Sequence, residues 1–256
     1  MDTSREPNCP ICTGQECSKL IGDVEIPSIN STSRGSDIPL EIWFCARCSH
    51  GFKPPIPDLE TYYDADYVFA AGSEEEDQIY DVRDDGVVIY RNEYQAEVAI
   101  GLLDLKPHCT ILDYGSGKGL TSTWLLRKRP DLNLHLFDVT DMHIDQWKRF
   151  VGTEFVATHV LPESWSARFD AVIAMFTFEH LENPRTEITR IRKLLSSRGK
   201  ICGIVPNPIS NQTDLLVRDH LQHYSARSIT WMLDEAGFTD IKVVSDLYQG
   251  LSLIHI

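Results

Sequence analysis

The chain of 256 residues contains no apolar run approaching the roughly 18 residues that a bilayer-spanning helix requires. Its opening, MDTSREPNCP, has neither the basic start nor the apolar stretch of a secretion signal. These absences predict a cytoplasmic protein with no membrane partner. Basic residues are also scarce, with 24 Lys and Arg against 38 Asp and Glu for a formal net charge of −14. Such a surface repels a phosphate backbone, so nucleic acid is not expected as a partner. The acids concentrate between Asp58 and Asp85, including the run Glu74 to Asp77, which reads as solvated surface or lid.

Cysteine is present in an odd number, seven, so a closed disulfide framework is not indicated. Four of the seven form two Cys-x-x-Cys pairs, Cys9 with Cys12 and Cys45 with Cys48, and in a reducing compartment that pattern points to metal. Each pair can place two thiolates on one side of a tight turn, and two facing turns make a tetrahedral zinc site. Four protein ligands leave no open position, so the zinc is expected to be structural. Cys17 and His50 are substitute ligands with less suitable spacing. Cys109 and Cys202 lie in apolar context and read as core thiols.

Composition divides the chain into a zinc-ribbon-like module over residues 1–57, an acidic and aromatic linker or lid over 58–92, and an α/β domain over 93–250. The lid would include ETYYDADYVF from Glu60. In the α/β part, Tyr94, Val98, Leu102 and Leu105 make a helical stripe that Pro107 ends before the strand TILDY. LNLHLFD, EFVATHV, FDAVIAMF, KICGIVP and DIKVV read as further strands. Between them lie helices carrying Leu120 and Trp124, then Ile144 and Trp147, then Ile188 to Leu195 behind Asn183 and Pro184, and last Ile229 and Leu233 behind the cap Ser225. This alternation predicts a doubly wound parallel sheet of Rossmann type with helices on both faces.

The first strand runs into ILDYGSGKGL, where Gly115, Gly117 and Gly119 stand at alternate positions. A dinucleotide fingerprint needs a glycine where Leu120 stands, and a Walker loop needs a Gly-Lys-Ser/Thr ending that Lys118 does not provide. What remains is bare backbone at a helix N-terminus, suited to a carboxylate, beside Asp113, suited to an ammonium. Asp138, at the tip of the second strand, can accept both hydroxyls of a ribose. An amino acid joined to a ribose describes S-adenosylmethionine.

With LDYGSGKG, the acid in LFDVT and FDAVIAMFTFEHLENP, the chain from Tyr94 to Val244 resembles the class I S-adenosylmethionine-dependent methyltransferases. The resemblance implies sheet order 3-2-1-4-5-7-6, with the cofactor at the strands' carboxyl ends. It implies cofactor contacts from Asp113, Tyr114, Gly115, Ser116, Gly117, Gly119, Asp138, Val139 and Phe176. Where relatives often carry an acid for the adenine amino group, this chain has Ala157, Thr158 and His159, so adenine is expected to rest on backbone and apolar contacts. The zinc pairs and the following CSHGFKPPIPDLETYYDADY resemble bacterial members with an N-terminal zinc ribbon, which implies a small-molecule, sugar or glycan acceptor.

After the fourth strand, FTFEHLENP offers Glu179 and His180 as candidate general bases, and each also suits a structural role in the loop. Metal-dependent relatives carry an additional acid where Phe176 stands, so the resemblance implies no catalytic metal. His220, His223 and Tyr224 either line the acceptor side or serve as packing and capping groups. Two rival readings stay open: a catalytically silent cofactor-binding module that docks through its zinc ribbon, and a nucleic-acid methyltransferase, which the charge opposes. Finally, LSLIHI (Leu251 to Ile256) reads codon for codon as the transposon end used in preparing sequencing libraries, and is set aside as a scar. The expectation is a truncated sheet, its sixth strand lacking a neighbour or pairing directly with the fifth.

Overall fold

Short strands bury little apolar surface by themselves, and the N-terminal ones are organised around the cysteines. The computed structural model describes residues 6–22, 26–30, 35–36, 39–57, 77–248 and 251–255. β1 (Cys17–Ile21), β2 (Ser28–Ile29), β3 (Gly35–Ser36), β4 (Ile42–Cys45) and β5 (His50–Phe52) make antiparallel pairs, β1 with β4, β4 with β5 and β2 with β3. The two cysteine pairs close matching turns. Thr13 N donates to Cys9 O at 3.0 Å and Ser49 N to Cys45 O at 2.9 Å, and Thr13 and Ser49 take left-handed conformations at φ 55° and 58°. The expected lid ETYYDADYVF lies outside the described residues. Beyond it β6 (Ile79–Val82) and β7 (Val88–Tyr90) form a hairpin leading into α1 (Arg91–Leu103).

The α/β part then alternates as its apolar patterns predict: β8 (Thr110–Tyr114), α2 (Leu120–Lys128), β9 (Asn133–Asp138), α3 (Ile144–Val151), β10 (Val156–Thr158), β11 (Phe169–Met175), α4 (Pro184–Leu194) and β12 (Leu195–Pro206). β13 (Gln222–His223), α5 (Ala226–Glu235), β14 (Lys242–Tyr248) and β15 (Leu251–His255) follow. The sheet order is β10-β9-β8-β11-β12-β15-β14, the 3-2-1-4-5-7-6 arrangement, with β15 antiparallel to both neighbours. One pairing expectation is corrected here. The sixth strand, β14, neither lacks a neighbour nor pairs with β12, because LSLIH forms the strand between them and supplies both ladders. A second correction is local: α4 stops at Leu194, and Leu195 already belongs to β12.

Helix ends follow the sequence signals in part. Ser225 caps α5 through a reciprocal pair with Ser228, and Pro184 occupies the first turn of α4, although the Asn183 side chain makes no capping bond. β11 is buried along nearly its whole length, as expected for a central strand covered on both faces. Two apolar layers flank the sheet. One includes Ala99, Leu125 and Trp147; the other includes Phe178, Ile191 and Ile229 and continues into the cysteine turns.

The N-terminal sheet is completed from the far end of the sequence. β13 pairs with β5, in the order β1-β4-β5-β13. His50, fully buried, spans this joint: its Nε2 lies 2.9 Å from Gln222 Oε1 and its Nδ1 3.3 Å from Ser228 Oγ. Gln222 Nε2 donates to Leu181 O at 2.8 Å, so Gln222 Oε1 is the acceptor and His50 Nε2 the donor. Burial pushes the His50 imidazole down to about 3, which keeps it neutral. His50→Ala should orphan the Gln222 carbonyl and destabilise the chain by about 1–3 kcal/mol in urea denaturation. An unchanged midpoint would show that the joint contributes nothing.

Candidate active site

The carboxyl ends of β8, β9 and β11 open into a cavity of about 750 Å3. At its floor the chain leaves β8 through a turn that only glycine suits. Gly115, Gly117 and Gly119 have φ of 79°, 49° and 71°, in the left-handed region where a Cβ is strained. A Cβ at Gly115 would also stand 2.5 Å from Thr177, and one at Gly119 2.9 Å from Trp147. Trp147 Nε1 donates to Gly117 O at 3.0 Å, and Ser116 Oγ donates to Asp113 O at 2.7 Å. The turn is therefore shaped before any ligand arrives.

Two carboxylates face this turn. Asp138 Oδ2 accepts from Gly117 N at 2.8 Å and Oδ1 from Thr140 N at 3.4 Å, while burial raises its pKa above the ordinary aspartate range. Asp113 is 2% exposed, accepts from Ser122 Oγ at 2.7 Å, and is pushed up to about 7 by burial, with the nearby Asp138 charge adding to the shift. Tyr114 also lines the cavity and donates to Glu187 Oε2 at 2.5 Å. Val139 and Phe176 line the cavity, the latter at φ 57° with the Arg91 guanidinium 4.3 Å above its ring. His159 lines it as well, whereas Ala157 and Thr158 do not.

Glu179, His180 and His220 line the cavity as well and form what we call its acceptor wall. Glu179 has no exposed surface, its two carboxylate oxygens have no hydrogen-bond partner among the described residues, and burial pushes it up to about 8. His180 Nδ1 lies 3.0 Å from Asp219 O, and burial lowers the ring to about 4. His220 Nδ1 is held by Asp214 Oδ1, and His223 Nδ1 lies 2.9 Å from Asp214 Oδ2. Of the three residues expected near the acceptor, only His220 reaches the cavity. His223 sits in the joint with β5, and Tyr224 donates to Phe178 O at 3.1 Å. Sequence reasoning missed Ser122, Thr177 and Asp214: Thr177 acts through Tyr114, 63 residues away, and Ser122 and Asp214 act through partners six to nine residues away at no recognisable spacing.

The four cysteines of the N-terminal turns converge separately. Cys9 Sγ lies 3.5 Å from Cys48 Sγ and Cys12 Sγ 3.6 Å from Cys45 Sγ, with all four sulfurs within 4.8 Å of one another and buried. Zinc at about 2.3 Å from each thiolate needs a tetrahedron with edges of about 3.8 Å, so the donor set fits the ion. Cys17 Sγ instead points to Gly14 O at 3.6 Å, and His50 is committed to Gln222 and Ser228. Neither joins the cluster.

A family model described as a methyltransferase domain matches residues 89–243, more than half of the sequence, and the chain belongs to that family. Among solved structures it is similar to the CurJ carbon methyltransferase, at 17% identity and a TM-score of 0.52 over 64% of this chain and 53% of that one. It is also similar to the DszA carbon methyltransferase, at 19% and 0.50 over 64% and 53%, and to the YcgJ protein of Bacillus subtilis, at 15% and 0.50 over 59% and 70%. At these identities the likeness is one of fold. The chain spans about half the length of the two carbon methyltransferase structures. No curated protein matches the sequence. Among the described residues no helix is long and apolar enough to cross a membrane.

The position of Asp113 yields a pH prediction. A carboxyl held near 7 when folded and near 3.8 when unfolded costs nothing below the unfolded value, and its cost grows as pH rises to the folded one. The stability of Asp113→Asn relative to the unsubstituted chain should therefore increase from about pH 4 to about pH 7, by at most about 4 kcal/mol. Urea denaturation across that range checks it; a flat difference would mean that Asp113 is ionised throughout.

Proposed function

We propose that the protein transfers a methyl group from S-adenosylmethionine to a small-molecule, sugar or glycan acceptor, and that the four thiolates hold a structural zinc. The observation that carries this reading is the convergence, in one cavity, of a positive-φ glycine turn with two buried acids. S-adenosylmethionine, when bound, supplies a methyl already activated on a sulfonium. The residues of the chain have to bind, align and deprotonate.

Asp138 would accept the ribose hydroxyls and Asp113 the amino acid's ammonium, each gaining a cation or donors that offset its burial. Gly115 and Gly117 keep side chains out of the space that the ligand backbone needs. Val139, Phe176 and His159 bound the adenine side, where no carboxylate stands. At the other wall, His180 is neutral at pH 7 and so in the form that takes a proton, whereas Glu179 is held in its acid form in the ligand-free chain. Of the two candidate bases, His180 fits that role better.

Two outcomes follow. Asp138→Ala should weaken S-adenosylmethionine binding by removing charge-assisted hydrogen bonds worth about 1.5–3 kcal/mol each; calorimetry with the fold retained checks it, and unchanged affinity would place the ribose elsewhere. Metal analysis should find about one zinc per chain, and Cys45→Ser should lose it together with thermal stability. A turnover assay across sugar nucleotides, glycans and small metabolites, using a labelled methyl group, tests the activity itself. Cofactor binding without transfer to any acceptor would count against it.

A further inference from the structure

We propose that Glu179, His180 and His220 bind a divalent cation of the first transition row at the acceptor wall of the cavity, separate from the thiolate site. One ligand atom from each residue lies within 4.8 Å of the others. The trio is assembled from two places in the chain: the loop after β11 supplies Glu179 and His180, and the segment before β13 supplies His220. The acid that the sequence spacing sought at position 176 is absent, and a histidine from another loop takes the third place.

The state of each ligand supports the assignment. Glu179 is wholly buried, lines the cavity and, among the described residues, has no hydrogen-bond partner on either oxygen. A buried carboxylate in that condition is costly unless an opposite charge completes it. Both histidines are oriented through Nδ1, His180 by the Asp219 carbonyl at 3.0 Å and His220 by the Asp214 carboxylate. An Nδ1–H donated to an oxygen puts the ring's lone pair on Nε2, and this carbonyl- or carboxylate-backed arrangement is how imidazole ligands are commonly fixed. The two rings meet edge to face, with centroids 4.7 Å apart and planes at 88°.

Two imidazoles and one carboxylate suit Mn, Fe or Zn rather than Mg or Ca, and three protein ligands leave positions open. Donors bound at about 2.1 Å around a tetrahedral ion stand about 3.4 Å apart, so donors spread over as much as 4.8 Å would close by up to about 1.4 Å. If the methyl-transfer reading holds, on which this use of the site rests, an open position takes an oxygen of the acceptor, and His180, its Nε2 lone pair given to the cation, serves as a ligand in place of the base. A cation-bound hydroxyl loses its proton more readily. The O–H bond breaks with its electron pair left on oxygen and its proton passing to solvent, the oxygen forms the new bond to the methyl carbon, and the carbon–sulfonium bond breaks with its electron pair left on sulfur, which departs as a neutral thioether. The acceptor is then a hydroxyl compound.

The test is titration of the purified, zinc-loaded full chain with Mn2+, following loss of the free ion's electron paramagnetic resonance signal, alongside calorimetry with S-adenosylmethionine. Saturable binding of one Mn2+ per chain is expected, weakened roughly tenfold or more by Glu179→Gln and by His220→Ala. Should His220→Ala fail to fold, the near-isosteric Glu179→Gln decides. No saturable binding, or binding that Glu179→Gln leaves intact, overturns the site. Mn2+ binding of the expected kind in a chain that does not bind S-adenosylmethionine upholds the site and overturns the methyl-transfer reading. Cofactor binding without Mn2+ binding overturns the site alone.

Discussion

The acceptor wall depends on one buried carboxylate. Asp214, 4% exposed, takes His220 on one oxygen and His223 on the other, and these two imidazoles hold its pKa well below the ordinary range against the pull of burial. His220 faces the cavity, whereas His223 belongs to β13 and pairs with β5 of the N-terminal sheet. The same carboxylate thus fixes a cavity residue and the strand that joins the two ends of the sequence. Lys53 strengthens the joint: its backbone N donates to Leu221 O at 2.9 Å and its buried ammonium to Val217 O. Removing Asp214 would leave two buried imidazoles without their shared acceptor, a network loss rather than a single lost bond.

The two walls of the cavity rest on different physics. The wall proposed for the cofactor is local, since the strand end, the glycine turn and α2 follow one another in the chain, and their shape comes from backbone conformation at three residues. The acceptor wall is long-range. The segment from Val217 to Tyr224 is held from two sides: the loop after β11 binds it through His180 to Asp219 O, Gln222 to Leu181 O and Tyr224 to Phe178 O, and β5 binds it through the β13 ladder. The N-terminal sheet thus contacts the same segment that carries His220 into the cavity.

That difference explains what the sequence disclosed. The β8 turn, Asp138 and the strand alternation were legible because their signals lie within a few residues of one another. The cysteine pairs were legible because ligand chemistry imposes a spacing. The joint between β5 and β13 was not, since Gln222 and His223 make a two-residue strand too short for any periodicity, and the His50 to Gln222 bond links positions 172 residues apart. Asp214 was hidden for another reason: its partners His220 and His223 lie only six and nine residues away, at a spacing that marks no motif. The strand β15 was hidden for a third reason: Leu253 and Ile254 are adjacent apolar residues, so its five residues carry no strict period-2 alternation.

Both walls also carry an acid that burial makes expensive. Asp113 and Glu179 are each nearly or fully removed from water, and each is raised into the neutral range by desolvation. Core packing alone would favour an apolar residue in either place, since a buried ionisable group without a counter-charge subtracts from stability. Two such groups in one cavity are best understood as sites completed by positive charge: an ammonium beside Asp113 and, on the proposal above, a metal ion beside Glu179. An occupant of either kind would relieve the desolvation cost by restoring the ionised form, so binding energy and folding energy are linked at each wall. Cationic ligands should then stabilise this chain more than neutral ligands of equal contact area, and the negative surface brings them to the cavity mouth.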